Sequence, residues 1–469
     1  MEMYDLVVIG GGPAGYVGSI RASQLGMRVM CVEKRKRLGG TCLNVGCIPS
    51  KALLDATEHY HQVCHASKDY GVDVQGVSFN LARMMDHKNL VVGGLQDGID
   101  FLFKKNKIAR SIGTAQIHAK DSDGWVVKVE GEDSPPSLIK SKRVLLAMGS
   151  EVIELPFLKF DGRYVINSTD ALSLEAVPDH LAIIGGGYIG LEMASVWRRL
   201  GARITVIESQ PRILAPSDEA SAKELQKSLA QQGMEFQFNT VCMGAEVRSD
   251  RLYLKVERDG VLSEIECDKV LVAVGRRPVT EGAGLQSLNL NYDKRGRIEV
   301  SSNYETSVSG IFAVGDLIEG PMLAHKASEE AVAAVERMAG VAGHVNYSAI
   351  PSVIYTWPEY ASVGAAEHEL KEKGVSFKVG VFPFSANARA RSLNEKDGIV
   401  RVLSDSGTDR VLGVHIVGPR ASEMIPAAVT AIEFSSSAED IARTCYAHPT
   451  LPEALKEAAL DVHKRRLHL

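Results

Sequence analysis

The chain has 469 residues, 45% of them apolar and 24% charged, with 53 basic and 58 acidic side chains and a net charge of −5. That is ordinary soluble composition for about three domains; it excludes a mostly disordered chain, carries no nucleic-acid footprint, and holds no apolar run near the ~18 residues of a membrane span. Glycine is in excess, at about 9% of the residues against a usual ~7%. The cysteines number seven, too few for a disulfide scaffold and odd besides. No charged-then-apolar leader precedes the first apolar run at 6–9, so the expected location is the cytoplasm, or an organelle matrix if a transit peptide has been removed.

Residues 4–9 read as a buried strand feeding the turn Gly10-Gly11-Gly12-Pro13-Ala14-Gly15 and then a helix to about Leu25, stopped by Gly26. A second strand at 27–32 ends at Glu33. The unit recurs with a strand at 180–184, the turn Gly185-Gly186-Gly187-Tyr188-Ile189-Gly190, a helix at 191–200 and a return strand at 203–207 ending at Glu208. In each copy the acid follows the first glycine by 23 residues (10 to 33 and 185 to 208). One such turn is a weak signal, but two with the same acid spacing make a strong one for two dinucleotide sites. The glycines allow the tight turn and the close approach of backbone to a pyrophosphate, and the helix N-terminus offers it free N–H groups. Glu33 and Glu208 can accept from a ribose diol. An acid at 208 repels a 2′-phosphate, so the second site is expected to prefer NAD, and the two together suggest flavin plus nicotinamide.

Between these units, Cys42 and Cys47 stand five positions apart in a glycine-rich stretch. Their spacing does not fit a metal site. A redox bridge requires a departure from regular helix, because five helical residues rise about 7.5 Å and a bridge needs Cα atoms within ~7 Å; Gly46 permits it. A helix starting just after Cys47 would favour its thiolate. Cys31, Cys64, Cys242, Cys267 and Cys445 are expected to be buried packing residues. The segments 143–150, 269–276 and 310–316 read as parallel strands ending in glycine turns, as a doubly wound architecture requires. Beyond Gly343, strands near 361–364, 377–382, 399–403 and 412–417 followed by helices suggest a separate α+β domain. Near the end, Thr450-x-x-Glu453 reads as a capping box with Pro452 in the first helical turn, and His448 as a loop histidine whose bond to Pro449 is a candidate for the cis form.

Several of these segments together resemble the flavoprotein disulfide oxidoreductases: GGTCLNVGCIPSKALL at 39–54, GGGYIGLE at 185–192, VGRRP at 274–278, GIFAVGD at 310–316, MLAHKASEE at 322–330 and IPSVIYTWPE at 350–359. Within that class I pyridine nucleotide-disulfide oxidoreductase family they look most like the dihydrolipoyl dehydrogenase branch. Ser50 and Glu208 depart from the glutathione reductase branch, and the ending Lys464-Arg465-Arg466-Leu467-His468-Leu469 lacks the cysteine pair of mercuric reductases. Pro452 stands where the branch more often has serine.

The resemblance implies an α/β fold: a discontinuous FAD-binding domain at 1–148 and 271–344, an NAD-binding domain at 149–270, and an α+β dimerisation domain at 345–469. It implies oxidation of protein-bound dihydrolipoamide through the disulfide and FAD, with NAD⁺ reduced. Cys42 is then the interchange thiol and Cys47 the flavin-side thiol. His448, from the partner subunit of a homodimer, is the base that Glu453 orients. Lys51 lies by the flavin and pairs with Glu192. Gly10, Gly12, Gly15, Glu33, Gly40, Thr41, Lys51, Ala115, Gly149, Asp316 and Ala324 fall to FAD. Gly185, Gly187, Tyr188, Ile189, Gly190, Glu208, Val241 and Gly275 fall to NAD. The implied partner is the lipoyl domain of a 2-oxoacid dehydrogenase or glycine cleavage complex, with no nucleic acid, membrane or metal involved.

Overall fold

The computed structural model describes residues 2–131 and 135–469. The chain divides into two compact units, the first made of Met1–Ala52, Met85–Ile153 and Gly275–Val345, the second of Leu53–Met84, Glu154–Val274 and Asn346–Leu469.

In the first unit, Leu6, Val7 and Val8 are fully buried. An unbroken apolar run of this kind suits a central parallel strand covered on both faces. The strand Met3–Ile9 accordingly lies between Val29–Glu33 and Ser137–Leu146, parallel to both. Ala109–Ile112 extends the sheet on one side. On the other, Trp125–Glu130 and Thr114–Lys120 add antiparallel, and Ile311–Ala313 runs parallel to the end of Ser137–Leu146. The helix Pro13–Gln24 starts on a proline, whose missing N–H costs nothing there. It turns Ala14, Gly15, Gly18, Ser19 and Ala22 inward, and these small residues let it lie against the helix Ala324–Met338, where a Cβ on Gly18 would come 3.2 Å from that of Ala331.

The second unit repeats the logic. Met234–Gln237, Arg203–Ile207, His180–Ile184, Lys269–Val272 and Val165–Ile166 form a five-stranded parallel sheet in that order. An antiparallel meander, Thr240–Arg248, Arg251–Arg258 and Val261–Cys267, follows it. The α+β segment expected beyond Gly343 is an antiparallel sheet in the order Ser352–Ile354, Glu359–Gly364, Val411–Gly418, Ile399–Asp405 and Phe377–Pro383. The helices Ala421–Glu433, Ala438–Arg443 and Glu453–Asp461 share a core with it around Phe382, Val400, Ile416 and Ala454. The mixed α/β class read from the sequence is the class observed. Among the described residues no helix is long and apolar enough to cross a membrane.

Candidate active site

Cys42 and Cys47 are joined in a disulfide with Cα atoms 4.6 Å apart. Regular helix would hold them farther apart. The backbone gets there by breaking: Gly40–Val45 is one short helix, Cys47–His65 the next, and Gly46 between them sits at φ −143°, ψ −110°. Cys47 is thus the first residue of a 19-residue helix, where free N–H groups and the positive end of the dipole stabilise a thiolate. Thr41 is in the short helix; Lys51 is in the long one, with its Nζ 3.3 Å from Ser50 Oγ.

Beside this centre the first glycine turn has the close backbone approaches that a dinucleotide site requires. Gly10 is left-handed at φ +106°, and a Cβ on Gly15 would fall 1.7 Å from the Gly10 carbonyl oxygen. Gly40 is also tightly placed, its Cβ position being 2.5 Å from Gly12 Cα. Glu33, buried at the end of its strand, accepts from Gly11 N at 2.6 Å and from Arg35 N at 2.9 Å. No side chain caps the helix that follows and no acid sits in its first turn, so its N-terminal amides fit a pyrophosphate. Ala115 is buried in its strand, and Ala324 opens its helix.

Asp316 follows the left-handed Gly315. Its Oδ2 accepts from Ser150 Oγ at 2.5 Å, and Ser150 in turn is held by Arg276 Nε at 2.7 Å. Gly149 and Gly275 flank this chain of contacts; both are left-handed, and both lie in the first unit. Ser150 and Arg276 were not singled out from the sequence, although both stand in its strand-end turns. A fully buried ion pair, Lys326 Nζ to Glu330 Oε1 at 3.1 Å, grips the same turn from behind. Lys326 donates to the Gly315 carbonyl at 3.0 Å, and Glu330 accepts from Gly315 N at 2.8 Å.

The second turn, in the other unit, copies the first. Gly185 has φ +109°, and a Cβ on Gly190 would meet the Gly185 oxygen at 2.2 Å. Glu208 accepts from Gly186 N at 2.7 Å. The helix Tyr188–Arg199 has Gly187 as its N-cap, again with no side-chain cap and no acid in the first turn. It begins three residues earlier than the sequence suggested, so Tyr188, Ile189 and Gly190 form its first turn. Glu192, on the same helix, accepts from Tyr355 N at 3.1 Å. Val241 is half-exposed on its strand.

Also in this unit, His448 Nδ1 lies 2.9 Å from Glu453 Oε1, and the imidazole is 70% exposed. Burial alone would raise the Glu453 carboxyl; the Thr450 N–H and the His448 ring outweigh it and hold the group below its usual range. The bond His448–Pro449 is cis, as is Trp357–Pro358. The expected capping box is only half made. Glu453 Oε2 accepts from Thr450 N at 2.7 Å, but Thr450 Oγ1 donates to the Ala447 carbonyl instead of capping. The helix starts at Glu453 with Pro452 as N-cap.

The other cysteines divide. Cys31, Cys242 and Cys267 are buried, and burial pushes the thiols of Cys31 and Cys267 up to about 12. Cys64 and Cys445 are exposed, against expectation. Cys64 lies in the last turn of the helix Cys47–His65, and Cys445 in the turn between the last two helices, where neither meets the core.

The fold and these two turns define a pyridine nucleotide-disulphide oxidoreductase. The profile of that family matches residues 4–331 and that of its dimerisation domain residues 350–459, and the chain belongs to this family. Its members use FAD and a pyridine nucleotide. The chain is 49% identical to the dihydrolipoamide dehydrogenase of Chaetomium thermophilum over 99% of its own length and 92% of that protein's. It is 48% identical to the mitochondrial dihydrolipoyl dehydrogenase of Dictyostelium discoideum over 100% and 96%. The crystal structure of LpdA from Mycobacterium tuberculosis shares the fold, with a TM-score of 0.90 at 23% identity, covering 98% of this chain and 99% of that one.

Proposed function

We propose that the chain oxidises the dithiol of protein-bound dihydrolipoamide and passes the electrons to NAD⁺. The full-length similarity to dihydrolipoyl dehydrogenases carries this reading, together with a disulfide whose Cys47 opens a long helix. FAD, held by the first glycine turn with Glu33 and Asp316, would supply a two-electron acceptor for the reduced cysteine pair and a hydride donor for the nicotinamide.

The chain's own residues do the thiol chemistry. His448 takes the proton of one lipoyl thiol, and the resulting thiolate attacks Sγ of Cys42, forming a mixed disulfide and releasing Cys47 as a thiolate. The second lipoyl thiol attacks the mixed disulfide at its lipoyl sulfur, its proton passing by way of His448 to Cys42, so that the lipoyl ring closes and Cys42 leaves as a thiol. The dithiol is thereby oxidised by two electrons and the cysteine pair reduced by two. With Nδ1 engaged by Glu453, Nε2 of His448 is the atom that receives the proton.

We further assign 1–148 with 271–344 to FAD, 149–270 to NAD, and 345–469 to a homodimer interface through which His448 serves the partner's disulfide. Lys51 and Glu192 are assigned to the flavin side of this site. The protein partner is a lipoyl domain, and the mitochondrial names of the relatives favour an organelle matrix over the cytoplasm.

The test is an anaerobic assay of the FAD-loaded enzyme. NADH should appear from dihydrolipoamide plus NAD⁺, and NADPH plus glutathione disulfide should give no turnover. No NADH from the first mixture would sink the proposal.

A further inference from the structure

The helix Glu219–Gln231 sits within the second unit between the edge strand Met234–Gln237 of the parallel sheet and three strands of the C-terminal sheet, Glu359–Gly364, Ile399–Asp405 and Val411–Gly418. It is anchored at both ends. At its N-terminus Asp218, 1% exposed, accepts from Ser221 N at 3.0 Å and Ser221 Oγ at 2.8 Å, and its Oδ1 lies 3.1 Å from Nε of Arg401. Arg401, itself buried, also pairs with Glu367. At the C-terminus Gln232 Nε2 donates to the Trp357 carbonyl at 2.6 Å. The fully buried His415 backs the ion pair, its Nε2 3.1 Å from the Ala365 carbonyl. Burial would push the Asp218 carboxyl up, but His415, Arg401 and the Ser221 donors together hold it down.

Nine residues, 209–217, separate Glu208 from this anchor, and they are tied down in sequence. Ser217 N donates to Leu214 O at 2.8 Å, and Leu214 N donates to Gly186 O at 3.0 Å. Arg212 gathers the carbonyls of Leu214, Ala215 and Ser217 at 2.9, 2.6 and 3.1 Å. Buried Ile213 lies under Gly186, whose own N–H donates to Glu208. A path of fixed contacts therefore runs from Arg401 through Asp218 and the loop to the glycine turn. For stability alone an apolar pair would do as well as a buried Arg–Asp pair, since removing charges from water is costly. Arg401 Nε and Asp218 Oδ2 make no hydrogen bond, so the pair acts by charge, with Glu367 holding the other side of the guanidinium; what it adds is a directed attraction that keeps the start of the helix at one place on the C-terminal sheet.

We propose that Arg401 and Asp218 are positioning residues for the second dinucleotide site, locking the loop 209–217 against Gly186 so that Glu208 meets the ribose at a set position. The inference rests on the reading that the Gly185–Glu208 turn takes NAD, and the experiment separates the two. FAD-loaded wild type, Arg401→Met, Arg401→Lys and Glu208→Gln are compared for the KM of NAD⁺, for anaerobic reduction by dihydrolipoamide without nucleotide, and for amide hydrogen exchange at Leu214 and Ser217. Arg401→Met should raise the KM of NAD⁺ about tenfold and speed exchange at both amides about tenfold, an effect of the size seen for mutations that couple to a site at a distance. Reduction by the dithiol should stay unchanged, and Arg401→Lys should restore most of the loss. Should Arg401→Met not fold, Asp218→Asn carries the same comparison. Unchanged KM and exchange, or equal damage to both half-reactions, would overturn the inference while leaving the site in place if Glu208→Gln still weakens NAD⁺. An unaffected KM in Glu208→Gln would overturn the site reading and the inference with it.

Discussion

The His448–Glu453 pair shows what a residue's surroundings add to its identity. Five positions of sequence, a cis peptide and a helix start bring a carboxylate onto one imidazole nitrogen and leave the other open to solvent. Glu395 is the opposite case, an acid with no such partner. Its Oε2 is buried without a hydrogen bond. Burial pushes the carboxyl up to about 7, with Glu58 and Glu359 adding to the rise and Arg420 and Arg389 opposing it. An acid whose folded pKa lies above its unfolded value of about 4.5 is neutral in the fold at low pH. Its contribution is intact below 4.5 and is lost as pH rises through about 7. Glu395→Gln should therefore be more stable than the wild type at pH 8, by about 1 kcal/mol once the partial exposure of the group is discounted, and no more stable at pH 4. Urea midpoints at the two pH values check this; equal gains at both would contradict it.

At the scale of elements, the glycine turns were the most legible feature, because everything that makes them lies within about 25 residues of chain. The same packing makes them fragile. Gly190→Ala puts a methyl 2.2 Å from the Gly185 oxygen. Overpacking of that severity should weaken NAD⁺ binding about 10- to 100-fold, while FAD content, read from visible absorbance, stays at the wild-type level. Equal loss of both cofactors would mean that the two turns are not separate sites. The strands Thr114–Lys120 and Trp125–Glu130, and the meander 240–267, are not legible in the sequence. Their outer faces carry charged and apolar residues alike, which blurs the alternation of period two. The Asp259-Gly260 corner, with both residues left-handed, was the signal available for a hairpin there. The ion pairs Lys326–Glu330 and Arg401–Asp218 were invisible for a different reason. Nothing in a helical run such as Ala324–Met338 announces that a lysine will be sealed inside, and residues 218 and 401 meet only through the fold.

For the whole molecule, the consequence lies in assembly. If the homodimer serves each disulfide with the partner's histidine, complementary lesions can rescue one another. A chain with Cys42→Ser and a chain with His448→Gln should each be inactive toward dihydrolipoamide alone. Co-expressed as a hybrid, one of the two sites regains both groups, giving about half the wild-type activity per dimer. A hybrid as dead as its parents would place both groups of a site in one chain. The sequence carried this arrangement only by resemblance, because no local pattern states which copy of a chain a side chain will serve.

Glu33 and Glu208 each bind an amide of their own glycine turn, Gly11 N at 2.6 Å and Gly186 N at 2.7 Å. Each carboxylate thus stitches strand end to turn as part of the protein's own hydrogen bonding, and still has lone pairs for a sugar hydroxyl. These bonds order the turn within the fold itself, so part of the entropy of arranging it is met during folding rather than at binding. On the proposed reading, a dinucleotide would find an acceptor already held in place, and less of its affinity would go to arranging the receptor.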